Sequence, residues 1–270
     1  MRRPRVPVAL TIAGSDSGGG AGIQADLKTF EALGVWGTCA LTGVTAQNTL
    51  GVLDSLVLPP PLVRAQIEAV CDDIGVSAAK TGMLGTAEVI VTVAQAAVDH
   101  RFPWLVVDPV LVTSHGELLL EEGAVKVLLE ELVPLCSVVT PNIPEAEALL
   151  GHPIDGREGM AAAAEELAAA GAPAVLLKGG HLRSDESPDV LYSEGRIQWL
   201  SGSRVESRHT HGTGCTLSAA ICAELATGAS LHDSCVRAKE FVTESIRAGV
   251  DVGSGVGPVN PGWGRGGSVA

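Results

Sequence analysis

Between residues 6 and 178, short runs of β-branched and small apolar residues alternate with longer stretches of helical period. This alternation constrains the fold more than any other feature. Strand–helix–strand units make parallel strands, because each crossover needs a helix, and successive crossovers cover both faces of the sheet. Strands are predicted at 6–12, 37–44, 51–57, 77–81, 105–108, 137–140 and 174–178, and helices at 21–33, 60–74, 86–100, 121–132, 144–150 and 156–170. After Lys178 the pattern changes. Three short runs, 190–193, 196–200 and 204–208, are separated only by turn residues such as Glu194-Gly195 and Ser201-Gly202, and read as an antiparallel edge. Two apolar helices at 215–227 and 231–248 follow, then a Gly/Pro/Ser-rich tail from Gly253. No linker, charge block or repeat divides the chain. The expectation is an α/β fold in one domain over 1–270, with about 258–270 as a flexible tail.

Composition removes whole classes of function. Lys and Arg total 18 against 31 Asp and Glu, a formal net charge of −13, so the chain as a whole offers no footprint for nucleic acid or an anionic membrane. An anionic ligand needs a local pocket. Only eight residues are aromatic while 33 are Gly, which favours a small-molecule site over a platform for stacking bases. The six cysteines form no C-x-x-C pair and have no His at zinc spacing, so reduced thiols in a cytoplasmic protein are expected. The basic start runs into Gly14 without a cleavage signal, and Asp108 interrupts the best apolar run well short of the roughly 18 residues a membrane helix requires.

The chemistry-bearing residues cluster at predicted strand ends, where open α/β sheets hold their ligands. His211-Gly-Thr-Gly-Cys215 is a Gly-spaced turn feeding an apolar helix. The N–H groups of Gly212, Thr213 and Gly214 can converge on a phosphate there, and the helix field would lower the Cys215 thiol pKa; a plain Gly-rich cap is the other reading. Asn142 and Glu145 are three apart at a helix start, suited to a hydrated divalent cation or simply to capping. Lys178 precedes two glycines that leave room for a phosphate, unless it is just solvated, and Asp108 ends a strand before Pro109. The Gly-rich segment 13–22 matches neither a phosphate-binding P-loop nor a dinucleotide fingerprint, which excludes a dinucleotide-dependent oxidoreductase. It can lie flat against a small planar ligand, with Asp16 in reach. Gln47 offers an amide that can donate to and accept from a heterocycle edge, though an isolated Gln is often only a surface residue.

Taken in order, segments 11–29, 45–49, 80–83, 108–110, 140–145, 178–181 and 211–216 closely resemble the hydroxymethylpyrimidine/phosphomethylpyrimidine kinases of thiamine biosynthesis, over about residues 6–260. The resemblance implies the ribokinase-like fold, a three-layer α/β/α sandwich whose sheet is mostly parallel. It implies ATP-dependent phosphorylation of 4-amino-5-hydroxymethyl-2-methylpyrimidine, then of its monophosphate, with magnesium. The implied roles are an anion hole at Gly212, Thr213 and Gly214, a base at Cys215, and an ATP-phosphate contact at Lys178. Magnesium and its waters fall to Asn142 and Glu145 with Asp108, and the pyrimidine to Gly14, Asp16, Ala21, Gln47, Met83 and Val110. Asp26 and His211 lie near the site by analogy, and a homodimer is implied. Ser114 and His115 stand where many relatives carry Lys-Ser, so loop contacts there differ. The rival readings are a pyridoxal, pyridoxine or pyridoxamine kinase, against which Gln47 argues, and a non-catalytic pyrimidine-binding protein, against which Asn142, Glu145, Lys178 and Cys215 stand together.

Overall fold

The computed structural model describes residues 6–111, 120–121, 123–182 and 186–264. The first half runs β1 (Val8–Asp16), α1 (Gly22–Ala32), β2 (Trp36–Asn48), β3 (Gly51–Val57), α2 (Pro60–Asp73), β4 (Ala78–Thr81), α3 (Ala87–His100) and β5 (Leu105–Val107). The second runs α4 (Ala124–Val127), β6 (Val138–Val139), α5 (Ile143–Leu150), α6 (Gly156–Ala169), β7 (Ala174–Leu177), β8 (Asp189–Ser193), β9 (Arg196–Leu200), α7 (Thr213–Thr227) and α8 (Leu231–Arg247). One sheet holds the nine strands in the order β3-β2-β1-β4-β5-β6-β7-β8-β9. The central strands from β2 to β7 pair in parallel, while β3 and the β8–β9 hairpin add antiparallel edges.

Strand period two divides the core. Leu10, Ile12, Ala79, Leu105, Val107, Val139, Val175 and Leu177 pack on one face with residues of α2 to α6. Their neighbours Ala9, Ala78, Val106, Val138, Ala174 and Leu176 pack on the other with α1, α7 and α8. Strands buried on both faces are mostly apolar and read as Val, Leu and Ala runs, and the buried polar Thr11 and Lys80 are partnered by Asp26. Strand order reverses beside β1, so the carboxyl ends of β1, β4, β5, β6 and β7 open onto one crevice.

Several local expectations are corrected. Strand β1 does not stop at Ile12: a register shift between Ala13 and Gly14 carries it to Asp16, paired with Thr45. The segment around Gln47 is likewise strand, so antiparallel pairing occurs at both sheet edges. No strand forms at 204–208, where only Ser203 bridges to Glu186 and the Arg204 guanidinium donates instead to the carbonyls of Gly180 and Leu182. The helix expected at 121–132 is regular only over Ala124–Val127, then widens to a π turn and a 3-10 turn holding Pro134, which lacks the N–H a regular helix needs. Part of the expected flexible tail is packed. His211 N–H donates to Gly257 O (3.1 Å), Val259 N–H to His211 O (3.1 Å) and Asn260 N–H to Ser245 O (2.9 Å), and Val259 is buried. Ser114, His115 and residues 265–270 lie outside the described residues.

Candidate active site

Asp108 follows β5 directly and collects three donors. Lys178 Nζ lies 3.1 Å and Thr140 Oγ1 3.2 Å from its Oδ1, and Ser218 Oγ, one helical turn into α7, lies 3.0 Å from Oδ2. Lys178 Nζ is also 3.7 Å from Glu145 Oε2. Asn142 and Glu145 form a capping box at the start of α5: Glu145 N–H donates to Asn142 Oδ1 (2.9 Å) and Asn142 N–H to Glu145 Oε2 (2.8 Å). The capping reading therefore holds, and the cap aims the Glu145 carboxylate at Lys178. Burial works against charge on Asp108, but the ammonium groups of Lys178 and Lys80 and the donated hydrogen bonds hold its carboxyl below the usual range. Burial pushes Glu145 up to about 7, with Asp108 adding to the effect and Lys178 opposing it.

The anion-binding turn is built by close backbone approach. Gly212 has φ +81°, and a Cβ there would lie 1.8 Å from Gly20 O; Gly22 has φ +55°, and its Cβ would lie 2.3 Å from Gly14 O. Asp16 gathers the facing loop by accepting from Gly18 N–H (2.7 Å), Gly20 N–H (3.0 Å), Ala21 N–H (2.8 Å) and His211 Nε2 (2.9 Å). Burial opposes its charge, and these donors outweigh burial and keep its pKa low. Asp16 thus lines the site with both carboxylate oxygens already engaged, as the organiser of the loop.

Gln47 completes this network. Thr45 Oγ1, with one hydrogen, lies 2.9 Å from Ser15 O and 3.1 Å from Gln47 Oε1, while Gln47 Nε2 faces His211 Nε2 at 3.4 Å. Because His211 Nε2 donates to Asp16, exchanging the amide oxygen and nitrogen satisfies both ends: Nε2 donates to Thr45 Oγ1 and Oε1 meets the His211 N–H. Each end keeps capacity for a ligand, one donor and one acceptor side by side.

Cys215 departs from expectation. Burial pushes its thiol up to about 11, with Asp26 and Asp108 adding, although the Lys80 ammonium and the Gly22 N–H pull the other way. The helix field does not prevail against burial and the neighbouring carboxylates. Next to it lies a fully buried ion pair, Lys80 Nζ to Asp26 Oδ1 at 3.0 Å, with Thr11 Oγ1 donating to Asp26 Oδ2 at 2.6 Å.

Every residue given a catalytic, pyrimidine or magnesium role from the sequence lines one cavity of about 590 Å³, as does His211, whereas Asp26 lies buried beneath it. Gly14, Ala21, Gln47, Met83 and Val110 are at one end, and the cluster of Asp108, Glu145 and Lys178 faces Gly212–Cys215. The cavity continues past Lys178 to Gly202, Ser203, Arg204 and Val205 and to Lys239, Val242, Thr243 and Ile246 of α8. A volume of this size suits two small ligands end to end. Among the described residues no three His, Cys, Asp or Glu converge as a metal cage. Two carboxylates beside a phosphate-sized space fit magnesium nonetheless, since that ion keeps waters and shares phosphate oxygens.

Comparison with known proteins decides the family. The phosphomethylpyrimidine kinase family model matches residues 16–260. The chain belongs to this family. It is 49% identical to the hydroxymethylpyrimidine/phosphomethylpyrimidine kinase of Haemophilus influenzae, over 94% of this chain and 96% of that one. It is 50% identical to the thiamine biosynthesis bifunctional protein ThiED of Geobacter sulfurreducens, over 93% of this chain and 51% of that longer protein. Among solved structures, an ADP complex of Bacillus subtilis pyridoxal kinase superposes with a TM-score of 0.90 at 38% identity, covering 97% of this chain and all of that one. The ribokinase-like fold expected from the sequence is the fold observed.

Sequence reasoning about this family member missed residues that the structure brings into or under the site: Ser218, Lys80 as the partner of Asp26, and the Asp189–Lys239 pair. A signal existed. Asp26 falls among the inward residues Ile23 and Phe30 of α1, and Lys239 between Ala238 and Val242 of α8, so each is a charge on an apolar stripe that has to find a partner.

Proposed function

We propose that this cavity carries out ATP-dependent phosphorylation of 4-amino-5-hydroxymethyl-2-methylpyrimidine and then of its monophosphate, in thiamine biosynthesis. One observation carries the reading: the Asp108–Lys178–Glu145 cluster, the Gly212–Cys215 turn and the Gln47 amide share a single cavity. The pyrimidine lies against Gly14, Ala21, Met83 and Val110, and the Gln47 amide, with donor and acceptor adjacent, pairs with a ring nitrogen and the amino group beside it. The hydroxymethyl group then points toward Gly212–Cys215. Lys178 and the N–H groups of that turn hold the transferring phosphoryl group, whose charge grows on the oxygens they face. Magnesium, when bound, neutralises phosphate charge and aligns the nucleotide; Glu145 and Asp108 would hold it with its waters, Asn142 orienting Glu145. Burial holds the Cys215 thiol well above neutral pH, so the thiolate is a minor form in the bare site and charge stabilisation carries most of the rate. Cys215 can take the hydroxyl proton only in its minor thiolate form; as the protonated thiol it can only donate a hydrogen bond to the acceptor oxygen.

The reading includes a homodimer, supported by exposed Leu50, Leu53 and Leu56 at the β3 edge. It also includes a cytoplasmic location, supported by six unpaired cysteines and the need for ATP. The likeness to a pyridoxal kinase supplies a second reading, in which the same pocket accepts pyridoxal. Steady-state kinetics with both acceptors and with Gln47→Ala separates them. The pyrimidine reading expects kcat/KM for the pyrimidine to exceed that for pyridoxal by at least about tenfold in the wild type, and that preference to collapse in Gln47→Ala. A preference for pyridoxal, unchanged by the substitution, overturns it.

A further inference from the structure

The Lys178 loop is pinned from behind by a charge pair on neither side of the reacting groups. The two peptides flanking the Lys178 Cα are each tied: the Lys178 N–H, of the peptide from Leu177, donates to Pro141 O at 2.8 Å, and the Gly179 N–H, of the Lys178–Gly179 peptide, donates to Asp189 Oδ1 at 2.9 Å. There is no slack between them. A Cβ on Gly179 would lie 1.9 Å from Pro188 O, so the loop is pressed directly on the segment that carries Asp189. The second oxygen of Asp189 lies 2.7 Å from Lys239 Nζ, which also donates to Ser187 O at 2.7 Å. Both side chains are buried. A buried carboxylate holds a fixed place only when its charge is matched and its lone pairs are filled, and here Lys239 and the Gly179 N–H do both.

We propose that Asp189 and Lys239 are a positioning pair for the nucleotide: Asp189 sets the direction of the Lys178–Gly179 peptide, and Lys239 on α8 holds Asp189 in place. Neither residue acts on the reacting atoms. Lys239 stands in the wall of the same cavity beside Gly202 and Thr243, so the pair ties the distant end of the nucleotide site to the phosphate end. The consequence is selective. Loosening the pair misplaces the Lys178 ammonium relative to the phosphates, while the Gln47 end of the cavity, built on β1 and β2, is untouched. The inference rests on the reading that ATP phosphates lie at Lys178.

The test uses the full chain with Asp189→Asn, Lys239→Met and the doubly substituted protein. Each single variant leaves one member of the pair buried and unmatched, and the expected result is a rise of about tenfold in KM for MgATP with a fall of about thirtyfold in kcat. KM for the pyrimidine is expected within about twofold of wild type. The double variant keeps an amide oxygen for the Gly179 N–H without either charge, and is expected to recover kcat to within about fivefold of wild type. Equal shifts in both KM values, or a double variant no better than the singles, overturn the proposal. If the singles are recovered unfolded, Lys239→Arg and the double variant carry the test; Lys239→Arg is expected to hold KM for MgATP within about threefold of wild type, and a rise of about tenfold or more that KM for the pyrimidine shares equally overturns the role. Calorimetric titration with MgADP separates the levels of failure. A wild type that binds no MgADP overturns the nucleotide reading itself, whereas wild type and singles binding alike overturn only the pair's role.

Discussion

Two glycines two residues apart are predicted to fail in opposite ways when replaced by Ala. Gly214 lies inside α7, and a Cβ there would sit 3.5 Å from Lys178 Nζ and 3.8 Å from Asp108 Oδ2, ordinary contact distances. The protein therefore accommodates the methyl group, and replacing a helical Gly by Ala stabilises by up to about 1 kcal/mol, or roughly 2–4 °C in Tm for a chain of this size. The same methyl group occupies the wedge between the turn and Lys178 where a phosphoryl group must fit. Blocking donors of this kind costs about a hundredfold in kcat. At Gly212 the geometry is different: φ is +81° and the Cβ would lie 1.8 Å from a backbone oxygen. Gly212→Ala is expected to lose about 2 kcal/mol or more of stability along with activity. Thermal melts and coupled ADP-release kinetics on both variants make the comparison. The reasoning fails if Gly214→Ala keeps kcat within about threefold of wild type, or if its Tm falls as far as that of Gly212→Ala.

Four further outcomes follow from the cluster and the turn it faces. The magnesium role proposed for Glu145 requires the ionised carboxylate, and burial pushes that carboxyl up to about 7, so kcat/KM for MgATP should climb as pH rises through about 7. Glu145→Gln, which preserves the capping box, should lack that limb; an unchanged pH profile contradicts the assignment. A raised carboxyl pKa also means that the stability contributed by protonated Glu145 is present below the unfolded value near 4.5 and lost as pH approaches 7, so Glu145→Gln should be no less stable than wild type at pH 8 by thermal melt. Lys178→Met should lose about two to three orders of magnitude in kcat and about 3 kcal/mol of stability by urea titration, because Asp108 and Glu145 are left buried without their cation. Cys215→Ala should lose only about tenfold in kcat, less than Lys178→Met, and a reversed ranking returns the main burden to the thiol.

The parallel core was legible because strands buried on two faces leave few polar positions, and because Gly and Pro mark their ends. The site was legible for the same reason: Asp108, Asn142, Lys178 and Gly212 follow directly on strands or open a helix, so their one-dimensional positions fix their place in the crevice. What failed depended on long-range contacts. Residues 204–208 have strand composition, yet Arg204 finds carbonyl acceptors at Gly180 and Leu182, which competes with pairing. The tail looks like linker until Val259 and Asn260 find His211 and Ser245, partners far away in sequence. Cys215 shows the limit of a local electrostatic rule, since the helix field was visible in the sequence but the burial and the carboxylates of Asp26 and Asp108 were not.

The central claim is that one cavity phosphorylates the pyrimidine alcohol and then its monophosphate. The most direct measurement supplies purified protein with MgATP and the pyrimidine monophosphate alone, and identifies the product by mass spectrometry. The account predicts stoichiometric ADP and the pyrimidine pyrophosphate, abolished together in Lys178→Met. ADP formed only when pyridoxal is the acceptor, with the monophosphate recovered unchanged, would contradict it.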